Sequence, residues 1–359
     1  MKRSRLIAML VALVMLMGIL VACVQPEDDA PVTPPPETSD AQAPEDDGND
    51  DNGDVDEAAA PPVAAVTTQD TLTVLTMSLP VGFIPWTVND VPSFEAQRLM
   101  FDRLFVLDYD TNVPDPALGL AINWYQPNAR TTNIELRRGV YFHNGDPLTA
   151  YDVVFTLDQL RVAPAGMPTF GMIESVVAHD DFNLTVYTEM DFVPIIAHLS
   201  QVRGSIINAR LFQEIGEEAF NAHPIGSGAW KFYQIILGDR VEYVANPDYW
   251  GGAPLLSRVI VRAVPEASVR LMEIQAGTAD IATHLAPIDV PLAEADPNVN
   301  VVRALNTSSN FIGFNMNAPH LNNILVRQAI NYAIDVDAIV QTVWLGEFVP
   351  LHAPITPLV

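Results

Sequence analysis

The segment that most limits what this chain can fold into is one that cannot fold. Residues 24–68 hold thirteen Asp or Glu, eight Pro and no Lys or Arg. Such a stretch has too little apolar surface to offset the entropy lost on ordering, so it is expected to be disordered. Proline and self-repelling charge should keep it extended, as a spacer. Its densest run, Asp46-Asp47-Gly48-Asn49-Asp50-Asp51, lacks the spacing and closing Glu of a calcium loop. A folded core must therefore be built from residues C-terminal to the spacer. At Thr71 the composition changes abruptly: Thr71-Leu-Thr-Val-Leu-Thr-Met77 is β-branched and apolar, the pattern of a buried strand. With 359 residues in all and 49% of them hydrophobic, the chain has room for about two cored domains.

The residues before the spacer read as an address. Lys2, Arg3 and Arg5 lead into an uncharged apolar run over residues 6–22, the layout of a secretory signal. Seventeen residues fall short of the ~20 that span a hydrocarbon core, which disfavours an uncleaved transmembrane anchor. Leu20-Val21-Ala22-Cys23 resembles the bacterial lipobox. That resemblance implies cleavage before Cys23 and lipidation of its thiol, with several acyl chains needed for a stable anchor. Cys23 is the only cysteine, so neither an internal disulfide nor a Cys-based metal site is available.

Of the formal net charge of −26, the spacer carries −13 and the leader +3, leaving −16 on residues 69–359. A field of that sign repels phosphate backbones and excludes nucleic acid as a partner. Beyond the first strand, Asn133-Ile-Glu-Leu-Arg137 alternates like a half-exposed strand. Thr149-Ala-Tyr-Asp152 is a capping box opening a helix whose apolar face is Val153, Val154, Leu157 and Leu160. Hairpins are predicted around Asp180-Asp181 and, with a two-residue turn, around Gly238-Asp239. A helix over residues 269–276 should stop at Gly277. Ala329, Ile330, Ala333 and Ile334 mark another, and Asp335 can cap a last helix ending at Gly346. Strands and helices mix without strict βαβ alternation, which predicts an α/β chain built of several mixed α+β lobes.

Five ordered segments carry a resemblance. They are Leu136-Arg-Arg-Gly-Val-Tyr-Phe-His-Asn-Gly-Asp-Pro-Leu-Thr-Ala-Tyr-Asp-Val153, Pro224-Ile-Gly-Ser-Gly-Ala-Trp-Lys231, Asn246-Pro-Asp-Tyr-Trp-Gly-Gly-Ala-Pro254, Gln275-Ala-Gly-Thr-Ala-Asp-Ile281, and Phe314-Asn-Met316 with Val326-Arg-Gln-Ala-Ile-Asn-Tyr-Ala-Ile-Asp335. Together they resemble family 5 of the bacterial extracellular solute-binding proteins, the oligopeptide-, dipeptide- and nickel-binding proteins of ABC importers. The resemblance implies a type II periplasmic-binding-protein fold, two-lobed and hinged, with an inserted subdomain. On that template residues 1–22 are the signal and 23–69 the linker. Residues 70–116 and 223–300 form lobe I, 117–222 an inserted lobe II, and 301–359 the start of a third lobe. Relatives are expected to run on past Val359, so lobe III is expected to be incomplete.

The implied function is capture of a peptide or related small solute and its delivery to a membrane permease. The protein would be a monomer needing no cofactor and no built-in metal. In peptide-binding relatives a short extended segment after the first strand pairs with the ligand backbone; that position matches Asn89-Asp90-Val91. A second cleft-facing segment matches Thr283 and His284, and Asn310 is a third candidate. The bland alternatives are a solvated loop for Asn89 and Asp90 and a satisfied histidine for His284. A nickel chelate or an oligosaccharide would suit the same fold. The competing class is a secreted lipoprotein hydrolase. His-Glu-x-x-His, a phosphate-binding Gly-rich loop with Lys, and a Gly-x-Ser-x-Gly elbow are all absent. Only Gly226-Ser227-Gly228 beside His223 suggests a nucleophile and base, and the resemblance makes that a turn.

Overall fold

The β-branched run at the start of the folded part forms β1 (Thr71–Thr76), which lies inside a mixed sheet. The computed structural model describes residues 70–108, 111–304 and 309–351; the signal, Cys23 and the acidic linker lie outside the described residues. β1 pairs in parallel on both sides, and parallel partners require long crossovers. The crossover holds a second sheet of β2 (Ala121–Asn128), β3 (Thr131–Leu136), β4 (Ile173–Ala178) and β5 (Asn183–Thr188), in the order β2-β3-β5-β4, all antiparallel. The chain then returns as β6 (Trp230–Ile236), β7 (Arg240–Ala245), β8 (Arg258–Ala263) and β9 (Ile281–Ala282), completing the five-stranded order β6-β7-β8-β1-β9.

The longer helices are α1 (Val91–Met100), α2 (Ala150–Val162), α3 (Ala209–Ala222), α4 (Ala267–Gln275), α5 (Ile324–Ala333) and α6 (Val336–Thr342). The capping box before α2 is present, with the Thr149 N–H donating to Asp152 at 2.9 Å. The other Asp152 oxygen accepts the Ala209 N–H at 2.9 Å, so one carboxylate ties the starts of α2 and α3. Val153, Leu157 and Leu160 are fully buried on the predicted face. Two expectations shift. The β6–β7 turn spans three residues, Leu237 to Asp239, because Ile236 still pairs with Arg240; Gly238 supplies the left-handed φ of 78° such a loop needs. The last helix ends at Thr342 rather than at Gly346, which takes a φ of 83°.

The family-like motifs build the junction between the sheets. A Cβ on Gly226 would lie 1.9 Å from the Met100 carbonyl oxygen, and one on Gly228 2.7 Å from the Met100 carbonyl carbon; only glycine lets the two backbones meet. His143 clamps the same turn. Its Nε2 lies 2.9 Å from the Gly228 carbonyl oxygen and its Nδ1 accepts the Gly226 N–H at 3.2 Å. Buried Asp102 accepts from Tyr249 OH and Trp250 Nε1, both at 3.0 Å. Ser227 is buried beside Asp102, whereas the His223 ring packs edge-on against Phe232. Neither makes the contact a nucleophile and base would need.

A single apolar cluster runs beneath both sheets, from Val241, Tyr243 and Val259 through Met100, Phe101 and Leu104 to Leu136, Leu157 and Val186. In contrast, α5 buries no residue and α6 only Val340, leaving Phe311, Leu325 and Tyr332 exposed.

Candidate ligand-binding site

The chain leaves β1 through a turn anchored by Trp86, whose ring packs edge-on against Phe155 and Phe212. That burial brings Asn89 and Asp90 to the surface with a fixed backbone. Arg203, itself buried, donates to the Val88 carbonyl oxygen at 2.7 Å and to the Asn89 side-chain oxygen, and lies over the Phe94 ring. Asp90 is extended (φ −127°, ψ 152°) and caps α1, accepting the Ser93 N–H at 3.0 Å; its second carboxylate oxygen is buried without a partner. The segment expected to be extended over three residues is so only through Asp90. Val91 is the first residue of α1, and half of its surface is exposed. The capping Asp and Pro92 inside the first turn account for the early start.

The N–H groups of Asn89 and Val91 find no acceptor among the described residues. They sit two residues apart, the period at which one edge of an extended chain presents its hydrogen-bonding groups. The first N–H groups of a helix have no acceptor inside it, so the unused Val91 donor follows from its place.

Thr283 and His284 follow β9, whose pairing with β1 sets their position. The Thr283 N–H donates to the Leu75 carbonyl at 2.9 Å, and its hydroxyl lies 3.3 Å from the same oxygen. His284 is exposed in a left-handed conformation, φ 56°, with Nδ1 3.1 Å from the Thr283 hydroxyl. Such a φ is costly for a non-glycine residue and must be held by its surroundings. Buried Arg270 holds it. The guanidinium donates to the carbonyls of Thr283 (3.1 Å) and His284 (2.6 Å), and to those of Val264 and Pro265 at 2.6 and 2.8 Å.

One residue the sequence did not single out joins these segments. Glu95 lies on α1, one turn beyond Val91, and is half-buried. Burial pushes its carboxyl above the usual range, against the pull of His284 and Arg98. The only signal for it in the sequence is its i+4 spacing from Val91. Asn310 is exposed, and no hydrogen bond or ion pair joins it to the other candidates.

A mixed sheet with an antiparallel sheet inserted in its crossover, joined by glycine turns, is an architecture this chain shares with solved solute-binding proteins. Residues 114–359 match the family described as bacterial extracellular solute-binding proteins, family 5 Middle, and the chain belongs to this family, one of binding proteins rather than of enzymes. It is 26% identical over 322 residues to heme-binding protein A of Haemophilus influenzae, covering 82% of this chain and 58% of that protein. It is 26% identical over 320 residues to the dipeptide-binding protein of Escherichia coli, covering 82% and 59%. The periplasmic binding protein DppA of Helicobacter pylori, solved in complex with the peptide STSA, superposes with a TM-score of 0.72 at 26% identity, over 80% of this chain and 61% of that one. The chain thus spans about three fifths of the length of the relatives it matches.

Proposed function

We propose that this chain is the solute-binding component of an ABC importer that captures peptides outside the cytoplasm and presents them to a membrane permease. The observation that carries the proposal is the pair of unused N–H donors at Asn89 and Val91, the chemistry by which one chain adds to another. Backbone pairing of this kind accepts many sequences, because every peptide offers the same carbonyls. Thr283 and His284, held by Arg270, form a second wall, and Asn310 a third. The protein acts by binding alone, as a monomer, and Cys23 carries the lipid that tethers it through the acidic linker.

In this reading residues 70–116 and 223–300 are lobe I, 117–222 lobe II and 301–359 the opening of lobe III. Opening between lobes I and II would expose the apolar cluster that runs beneath both sheets, at ~25 cal/mol per Å². Closure is therefore assigned to the chain leading into lobe III. The ligand stabilises the closed state by its contacts there.

The test is thermal unfolding of the full chain with di-, tetra- and nonapeptides, and separately with heme and with the nickel–histidine complex. A ligand at 100 times its Kd adds about 2.7 kcal/mol to the native state. Peptides should raise the Tm. A rise with heme or nickel–histidine and none with any peptide would overturn the assignment.

A further inference from the structure

The four-stranded sheet carries a pocket of about 210 Å³ with both polar and apolar walls, distinct from the Asn89 and His284 segments. Cross-strand register sets Asn123 opposite Glu135 and Tyr125 opposite Asn133, so these four side chains share one face. Across the next ladder Asn133 faces Thr185, and His179 from the β4–β5 turn closes the end. The intervening Ile134, Leu184 and Val186 are buried in the core, and Ile134 and Leu184 also contribute to the pocket lining.

Hydrogen bonding fixes the polarity of this pocket. The hydroxyl of buried Thr185 lies 2.6 Å from the Asn133 amide oxygen and 2.8 Å from His179 Nε2. An amide oxygen only accepts, so the single hydroxyl proton goes to Asn133, and Nε2 must be the nitrogen that carries a proton. The Asn133 NH₂ group is thereby left as a donor, and His179 Nδ1 in the neutral ring is left as an acceptor. The side chains of Asn123 and Glu135 make no hydrogen bond among the described residues. Tyr125 presents a ring that is 63% exposed.

We propose that this face is a saccharide-binding site that takes one uncharged pyranose ring. The donor and acceptor set selects the class. An ammonium group only donates and would leave the Asn133 NH₂ unmet, while a carboxylate or phosphate only accepts and meets the Glu135 carboxylate in a chain of net charge −26. A hydroxyl does both, and adjacent hydroxyls on one ring answer a fixed donor beside fixed acceptors. The Tyr125 ring supplies an apolar face for the C–H side of a sugar. The volume is below the ~300 Å³ at which sites for larger ligands begin, which suits one ring rather than a chain.

Saturation-transfer NMR on the full chain would use methyl β-glucopyranoside, methyl α-mannopyranoside and N-acetylglucosamine as probes, with choline and inorganic phosphate as the charged competitors. At least one pyranose should receive saturation. Tyr125→Ala and Glu135→Gln, both at solvent-facing positions, should each weaken its binding about five- to tenfold, the loss expected for one useful contact. Tyr141→Ala, an exposed tyrosine elsewhere, should not change it. Nitrogen-detected spectra of His179 should show the proton on Nε2, a readout that needs no ligand. Transfer to none of the sugars, binding of choline or phosphate in their place, sugar binding that survives both substitutions, or a proton on Nδ1 would each overturn the proposal.

Discussion

The Arg203 guanidinium donates to the side-chain oxygen of Asn89, 114 residues earlier in the chain, and to the neighbouring Val88 carbonyl at 2.7 Å. A side chain from the second half of the crossover thus fixes the segment proposed to pair with the ligand. Arg203→Met keeps much of the apolar stem but strands both oxygens. It should lower the unfolding free energy by about 1.5–3 kcal/mol, the range for hydrogen bonds to a charged group, and weaken peptide binding as well. Urea denaturation and calorimetry together check it; wild-type stability with wild-type affinity would deny Arg203 this role.

Val91→Pro separates backbone pairing from packing. Proline suits the first position of a helix, where the missing N–H has no helical acceptor, and Asp90 before it is already extended. The fold should tolerate the change, while peptide affinity falls about two- to twelvefold through the loss of one hydrogen bond. Unchanged affinity in the folded variant would leave this segment an ordinary loop.

Glycine is required at two turns for different reasons, and the costs should differ. Gly226→Ala drives a Cβ into the Met100 carbonyl oxygen and should cost about 3 kcal/mol or more, because backbone rather than a movable side chain stands in the way. Gly238→Ala meets nothing within 4 Å and should cost only the ~1 kcal/mol of a left-handed alanine. Comparable losses at the two sites would contradict the close approach at Gly226.

His143 should make stability fall with acid. Burial lowers its pKa from 6.5 to about 4, so between those values the unfolded chain binds the extra proton and the folded one does not. Stability is then fully present above about pH 6.5 and is lost as pH falls toward 4, by roughly 3 kcal/mol over the window. Buried Asp102 and Asp152, whose carboxyls are pushed up, favour the folded state as they take up protons, so the contribution of His143 is read as a difference. His143→Gln should remove that slope; an equally steep slope in the variant would assign it elsewhere.

Cys23→Ser tests the proposed anchor. In a bacterial host the variant should remain unprocessed and take up no radioactive palmitate. Normal maturation would rule out lipidation at this position.

Much of the local structure was legible in the sequence because its causes are local. The capping box at Thr149 and Asp152, the helix stop at Gly277 and the strand from Thr71 each follow from neighbours a few residues apart. The ordered motifs likewise sufficed for the family, since each is made of contiguous runs of residues and all of them fall within the matched range 114–359. What only the tertiary structure decided was who meets whom. Nothing near Asn89 announces Arg203, nothing near His284 announces Arg270, and the Gly-rich turn, read as a turn from the resemblance, does not reveal that Met100 and His143 lie against it. Beyond its i+4 spacing from Val91, Glu95 was silent for the same reason: burial raises its carboxyl against the pull of a histidine 189 positions away in the chain. Caps, turns and strand patterns are set by backbone geometry within a few residues, whereas the walls proposed for binding depend on side chains that tertiary packing brings to them.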